Sequence, residues 1–203
     1  DISDTLLHLA RSKYSKIDNL KFNLCDAQSH KFQGNSFDKI ISRFGVMFFD
    51  DPVAAFANIR PSLKADGSLN FVCWTEMMQN QFIIDGAEFI TKHTQIDLPP
   101  VSREPGPFAF SEKSYVEEIL TASGFKNIKI ATVHTTISTK DSLQQAAHIL
   151  MNIGPRAKML SGTDVSDETM LQIKNEIEEL CKSRQIGNEI THKACLNYVS
   201  ALG

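Results

Sequence analysis

The sequence contains no apolar run that approaches the roughly 20 residues needed to cross a bilayer. It also has no basic segment followed by the apolar stretch that marks a secretory signal. We therefore expect a cytoplasmic protein without a membrane span.

Cysteine is scarce and scattered. Cys25, Cys73, Cys181 and Cys195 form no CxxC pair and no Cys/His spacing of the kind that holds zinc. We expect neither a metal site nor a disulfide framework.

A surplus of positive charge is also lacking. The chain has 21 Lys and Arg against 24 Asp and Glu, a formal net charge of −3 and a pI near 6.1. The basic residues are scattered and form no stripe, so the electrostatic signature of a nucleic-acid binder is missing. We expect a small-molecule partner.

What is present is an alternation of strand and helix patterns over 203 residues. Helices are predicted at Asp4–Tyr14 (with Ser3 or Asp4 as N-cap), Pro52–Leu63, Phe82–Ile90, Ser111–Gly124 (capped by Ser111), Asp141–Asn152 and Ser166–Arg184. Strands are predicted at Leu20–Leu24, Phe37–Ser42, Ser68–Trp74, Phe125–Val133 and Ala194–Ala201. The pattern favours an α/β fold with a doubly wound parallel sheet covered on both faces. Residues 1–140 would form the core, 141–193 a helical insertion or cap, and 194–203 a closing strand of the core.

Several separated motifs occur in an order that resembles one enzyme family. Asp26-Ala27 follows the first predicted strand, and the second strand continues as Phe37-Asp38-Lys39-Ile40-Ile41-Ser42-Arg43-Phe44. Ile59 to Leu69 resembles the family's turn from helix to strand. The chain thus resembles class I S-adenosylmethionine-dependent methyltransferases, of the type-11 group that includes ubiquinone- and menaquinone-biosynthesis enzymes. The resemblance implies a Rossmann-like, mostly parallel sheet with an antiparallel last strand.

The resemblance also implies a cofactor, S-adenosylmethionine, and residues that bind it. Asp1-Ile2 would end the strand whose carboxylate accepts hydrogen bonds from the ribose hydroxyls. Asp26 would accept from the adenine amino group, and Ala27 would let the backbone approach the ring. The segment Ser42, Arg43 and Phe44 would lie along the methionine part, although Arg43 could equally pair with an acidic substrate or form a surface salt bridge.

The family's glycine-rich loop has no counterpart here, because the first glycine is Gly34. We expect the sequence to be an N-terminally truncated record. The alternatives are an N-terminal part that is present but disordered, or a sheet that is rearranged or swapped between chains. In each case the role of Asp1 depends on residues outside this sequence.

The sequence indicates no catalytic base, since no His/Asp or Cys/His constellation has suitable spacing. Methyl transfer from a sulfonium depends mainly on alignment, so a base is optional. An apolar acceptor pocket, or alternatively plain core, is predicted for Met47, Phe48, Trp74, Phe108 and Phe110. The helices between Asp141 and Arg184 would shape that pocket, and a homodimer is left open.

Two other functions compete with this interpretation. A non-catalytic member of the fold, serving as a binding or assembly module, would explain the absent glycine loop. A nicotinamide-dependent Rossmann oxidoreductase would explain the alternation of strands and helices but not the Asp-Ala pair.

Overall fold

The computed structural model describes residues 1–161 and 164–203. The insertion predicted at 141–193 includes residues 162 and 163, which lie outside the described residues. The helices are α1 (Asp4–Lys13), α2 (Pro52–Ile59), α3 (Gln81–Ile84), α4 (Ala87–Thr94), α5 (Lys113–Ala122), α6 (Leu143–Asn152), α7 (Gly154–Ser161) and α8 (Asp167–Ser183). The strands are β1 (Phe37–Arg43), β2 (Leu63–Trp74), β3 (Lys126–Thr139), β4 (Gln185–Ile186) and β5 (Glu189–Leu202).

The sheet is mixed, with the order β1-β2-β5-β3 and with β4 also paired to β5. β1 and β2 are parallel, whereas β5 is antiparallel to β2, β3 and β4. One strand therefore runs against all the others, which confirms the predicted α/β fold with an antiparallel last strand. β1 lies at an edge of the sheet, so one side of its backbone faces no other strand of the described chain.

Local sequence explains where several helices begin. Ser3 caps α1, because its side chain accepts from the amide of Leu6, and Ser166 caps α8 in the same way. Pro52 occupies the first turn of α2, where no amide donor is needed. The predicted cap at Ser111 is wrong: α5 starts after Glu112, and no side chain caps it.

The predicted strand Leu20–Leu24 does not form. The segment instead makes two bonds with the first residue: the Asp1 amine donates to the Asn23 carbonyl (3.1 Å), and the Cys25 amide donates to the Asp1 carbonyl (3.0 Å). These two bonds have the pattern of a single parallel bridge.

Other boundaries also differ from the prediction. Gly86, at φ +88°, separates α3 from α4 where one helix was predicted, because this left-handed conformation interrupts a helix. Helix α7 was not predicted. β5 begins at Glu189, earlier than the predicted Ala194, and β3 continues to Thr139 beyond the predicted Val133. The two strands extend together because they pair with each other from Lys126 to Thr139.

Two apolar clusters hold these elements together. The larger cluster covers the sheet and is centred on Phe56, whose ring contacts those of Phe49, Phe71, Phe110 and Phe125. The smaller cluster joins the helices α4, α6, α7 and α8 to the start of β5. The sheet and the helices α4, α6, α7 and α8 thus have separate cores. Helices α6, α7 and α8, which lie within the predicted insertion, are called the cap helices below.

Candidate functional site

A cleft of about 840 Å³ lies between the edge strand β1 and the N-terminal segment. One wall comes from residues 1–6 and 25–32, and the other from β1 and the turn that follows it. Its lining residues are Asp1, Ile2, Ser3, Leu6, Cys25, Asp26, Ala27, Phe32, Phe37, Lys39, Ile40, Ile41, Ser42, Arg43, Gly45, Val46, Phe48, Phe49, Ile59 and Ser62. The volume is in the range of ordinary small-molecule pockets.

The loop that carries Asp26 and Ala27 is fixed by side-chain hydrogen bonds. One carboxylate oxygen of Asp26 accepts from the amide of Gln28 (2.9 Å), which closes a tight turn. The amide nitrogen of Asn58, on α2, donates to the carbonyls of Ala27 (3.0 Å) and His30 (2.9 Å). The loop therefore keeps its position against α2, and the Asp26 side chain remains exposed at the cleft.

The opposite wall turns sharply where β1 ends. Phe44 has φ +57°, which takes the chain out of the strand, and its amide donates to the carbonyl of Val72 on β2. The amide of Gly45 donates to Oγ of Ser42 (3.3 Å). Ser42 and Arg43 are thereby held at the carboxyl end of β1, the edge at which open α/β sheets bind ligands.

The structure brings together most of the predicted cofactor residues. Asp1, Ile2, Asp26, Ala27, Ser42 and Arg43 all line the cleft, although they come from three separate segments of the chain. Phe44 is not in the lining: its ring stacks on that of Trp74, with centroids 4.5 Å apart.

The residues predicted for an acceptor pocket are divided between two environments. Phe48 lines the cleft and is exposed. Met47, Trp74, Phe108 and Phe110 are all buried in the larger core and do not line the cleft. For these four the structure favours the alternative of plain core, and their contact with an acceptor stays a prediction.

Sequence reasoning did not select Phe37, Lys39 and Ile41, which also line the cleft. Their segment was used to predict a strand and to support the family resemblance, without assigning these three residues to the site. The available signal was that an apolar, a basic and another apolar residue share one side of that strand.

A second polar cluster lies under the cap helices. The Asp85 carboxylate accepts two hydrogen bonds from Arg184 (2.9 and 3.0 Å) and contacts Nδ1 of His192 at 2.8 Å. Burial raises the pKa of Asp85, but the bonds to His192 and Arg184 outweigh it, so the pKa is lowered overall. The Asp85 carbonyl also accepts from Arg156, whose guanidinium is fully buried.

Arg156 organises the chain around it through backbone carbonyls. Its guanidinium donates to the carbonyls of Leu150, Phe82 (2.9 Å) and Ile83 (2.6 Å) as well as Asp85 (3.1 Å). Burial lowers the pKa of Arg156 to about 10. The arrangement joins α3, α6 and α7, and it has a structural role in the cap.

None of the helices in residues 1–161 and 164–203 is both long and apolar enough to span a membrane. Within the same ranges, no group of three or more His, Cys, Asp or Glu side chains could hold a metal ion.

Comparisons with known proteins agree with this geometry. Residues 1–71 match the family model of a methyltransferase domain. The comparison with curated proteins gives no significant match.

The fold is shared with solved structures at low sequence identity. A protein of Bacillus halodurans described as a candidate methyltransferase has a TM-score of 0.53 at 15% identity, over 99% of this chain and 80% of its own. The YcgJ protein of Bacillus subtilis has a TM-score of 0.55 at 15% sequence identity. The match covers 99% of this chain and 79% of YcgJ. The CMeT domain of citrinin polyketide synthase has a TM-score of 0.51 at 15% sequence identity. The match covers 100% of this chain and 37% of that one. The methyltransferase-domain model thus matches about a third of the chain, and these solved structures share its fold.

Proposed function

We propose that the protein transfers a methyl group from S-adenosylmethionine to a small-molecule acceptor, and that the reaction takes place at the cleft beside β1. The observation that carries the proposal is the convergence of Asp1, Asp26, Ser42 and Arg43 on one cleft. These residues were selected from sequence motifs alone, and three separate segments supply them.

The donors and acceptors in the cleft suit this cofactor. Asp1 accepts one local bond, from the amide of Ser3 (2.8 Å). Asp26 accepts from the amide of Gln28 (2.9 Å) and, at the longer distance of 3.5 Å, from the hydroxyl of Ser29. A carboxylate offers about four acceptor positions, so both keep capacity for ribose hydroxyls and an adenine amino group. Arg43 is exposed and could pair with the carboxylate of the cofactor.

The bound cofactor would supply an activated methyl group on a sulfonium. The chain's own contribution would be to position the two reactants and to exclude water. Phe48 and Phe49 line the cleft close to Arg43 and supply apolar surface for that purpose. No general base is assigned, and the acceptor atom, whether O, N or C, stays open.

The helices of the cap are proposed to shape the acceptor side of the site. Their smaller core is joined to the larger one by Phe82 and Leu98, which pack against both. This arrangement supports a cap that is attached to the sheet yet has a core of its own. The ubiquinone- and menaquinone-like subtype stays a prediction.

Calorimetric titration with S-adenosylhomocysteine tests the proposal, because the product can bind without the acceptor being known. We expect micromolar binding that weakens roughly tenfold to a hundredfold in Asp26→Ala, the loss of a charge-assisted hydrogen bond. The control is Asp66→Ala, which removes an exposed carboxylate outside the cleft. Equal weakening in both variants would contradict the proposed site. No binding either to this chain or to a chain extended by its upstream residues would favour the non-catalytic alternative.

A further inference from the structure

Asn58, on α2, joins that helix to the loop of residues 26–30. Its amide nitrogen donates to two carbonyls of the loop, those of Ala27 (3.0 Å) and His30 (2.9 Å). One nitrogen can serve both carbonyls because a side-chain amide carries two hydrogens. The loop is a turn in which the amide of His30 donates to the carbonyl of Asp26 (2.8 Å). Asn58 therefore binds the turn near its start and at its end.

A second contact joins the same loop to the start of α2. Oε1 of Gln28 accepts from the amide of Asp51 (3.0 Å). Asp51 is the N-cap residue of α2, and its own side chain accepts from the amide of Ala54. It precedes Asn58 by seven residues, which is about 10 Å along a helix axis. Two contacts at this separation fix both the position and the tilt of the loop against α2.

The turn in its turn orients the carboxylate of Asp26. One carboxylate oxygen accepts from the amide of Gln28 (2.9 Å), and the other accepts from the hydroxyl of Ser29 at 3.5 Å. Asp26 lines the cleft and is exposed, whereas Gln28 and Asn58 are half-buried and are not among the lining residues. Asn58 can therefore affect a ligand in the cleft through Asp26 and not by direct contact.

We propose that Asn58 is a positioning residue for the cofactor, because it determines where the Asp26 carboxylate meets the adenine amino group. This inference rests on the proposed function and deepens it at the adenine end of the cleft. A carboxylate is only an acceptor, so it favours an amino group over a carbonyl oxygen at the same position of a purine ring. Such selectivity requires the carboxylate to be held within about 0.5 Å. Helix α2 thus contributes to base selectivity through a residue that does not touch the base.

The test compares S-adenosylhomocysteine with S-inosylhomocysteine, in which a carbonyl oxygen replaces the adenine amino group. Variants are made in the chain that binds S-adenosylhomocysteine, either this one or the one extended by its upstream residues. We expect the unaltered chain to prefer S-adenosylhomocysteine by about tenfold or more, as suits one charge-assisted hydrogen bond. Asn58→Ala removes the donor, and Asn58→Asp keeps the shape but turns an acceptor toward the two carbonyls. Both variants should lose most of the preference.

A matched variant and a measurement without ligand serve as controls. Asn152 on α6 lies outside the cleft, and its amide nitrogen donates to the carbonyl of His148 (2.8 Å). Asn152→Ala therefore removes a comparable donor and should leave the preference between the two ligands unchanged. Amide hydrogen exchange reports local opening of the chain. In Asn58→Ala it should become faster in the loop of residues 26–30 and stay unchanged in α8.

Three results would overturn the inference. Unchanged exchange in the loop would mean that Asn58 does not hold it. Faster exchange with an unchanged preference would mean that the loop is held but that its position does not select the base. Equal weakening of both ligands in Asn58→Ala would indicate a general loss of structure. The two proposals fail differently: if S-adenosylhomocysteine binds neither chain, the proposed function is wrong and this inference falls with it, whereas binding with an unaltered preference refutes this inference alone.

Discussion

The buried cluster around Asp85 allows a quantitative prediction about how the cap is attached. Replacing Asp85 by Asn keeps the shape of the side chain but removes its charge. Arg184, with 31% of its side chain exposed, and His192, with 4%, then lose their carboxylate partner. The amide nitrogen of Asn is itself a donor, so it would face the donors of Arg184.

The expected loss in the free energy of unfolding follows from the burial of Asp85 and its partners. Removing one partner of a buried ion pair costs roughly 3–5 kcal/mol. Because Arg184 is partly exposed, we expect Asp85→Asn to lower the free energy of unfolding by about 2–4 kcal/mol. In a chain of this size each kcal/mol lowers Tm by roughly 2–4 °C. A Tm lower by roughly 4–16 °C should therefore be seen by circular dichroism.

A matched exposed pair provides the control. Arg103 and Glu112 form a 2.7 Å ion pair in which both side chains are about half exposed. Glu112→Gln should cost no more than about 1 kcal/mol, since water screens such pairs. If the two variants lose similar free energies of unfolding, the burial of an ion pair does not decide how much it stabilises the protein, and the reasoning is refuted.

Three further predictions concern pH, packing and thiol reactivity. The pKa of Asp85 is lowered in the folded state. Its stabilising effect is therefore complete above the ordinary carboxyl pKa of about 3.9 and is lost as the pH falls through the pKa of the folded state. The difference in free energy of unfolding between wild type and Asp85→Asn, measured by urea titration, should be smaller at pH 3 than at pH 7. Phe56→Ala should lower the free energy of unfolding by about 3–5 kcal/mol, because Phe56 is fully buried among four aromatic rings; a loss below about 1 kcal/mol would contradict that central position. Burial raises the pKa of Cys73 to about 12 and that of Cys181 to about 11, whereas Cys25 is partly exposed in the cleft. Cys25 should therefore be the first cysteine to react with a thiol reagent, and bound S-adenosylhomocysteine should slow that reaction. Mass spectrometry identifies the modified residue.

Much of the cleft could be foreseen because its residues belong to local motifs. Asp26-Ala27 and the segment Ser42-Arg43 were selected because they resemble family motifs that follow strands. Ser42 and Arg43 do lie at the carboxyl end of β1, where open α/β sheets bind ligands, whereas the strand predicted before Asp26 does not form. Phe37, Lys39 and Ile41 could not be selected in the same way, because they lie within β1 and not at its carboxyl end.

The burial of the residues predicted for the acceptor pocket could not be foreseen from the sequence. Met47 and Phe48 are adjacent in sequence and equally apolar, yet Met47 is buried and Phe48 is exposed in the cleft. Phe108 and Phe110 follow a segment with four prolines between residues 99 and 107, and both are packed in the larger core. Composition cannot distinguish these outcomes, because burial depends on which distant residues surround the side chain.

The sequence by itself determined the elements whose signals are local. The starts of α1, α2 and α8 follow from Ser3, Pro52 and Ser166, since a cap or a first-turn proline acts within a few residues. The tertiary structure alone decided whether Leu20–Leu24 becomes a strand. A strand is completed only by a neighbour that offers a ladder of donors and acceptors, and the local sequence does not specify that neighbour. The same dependence on distant partners placed Asp85 among Arg184 and His192.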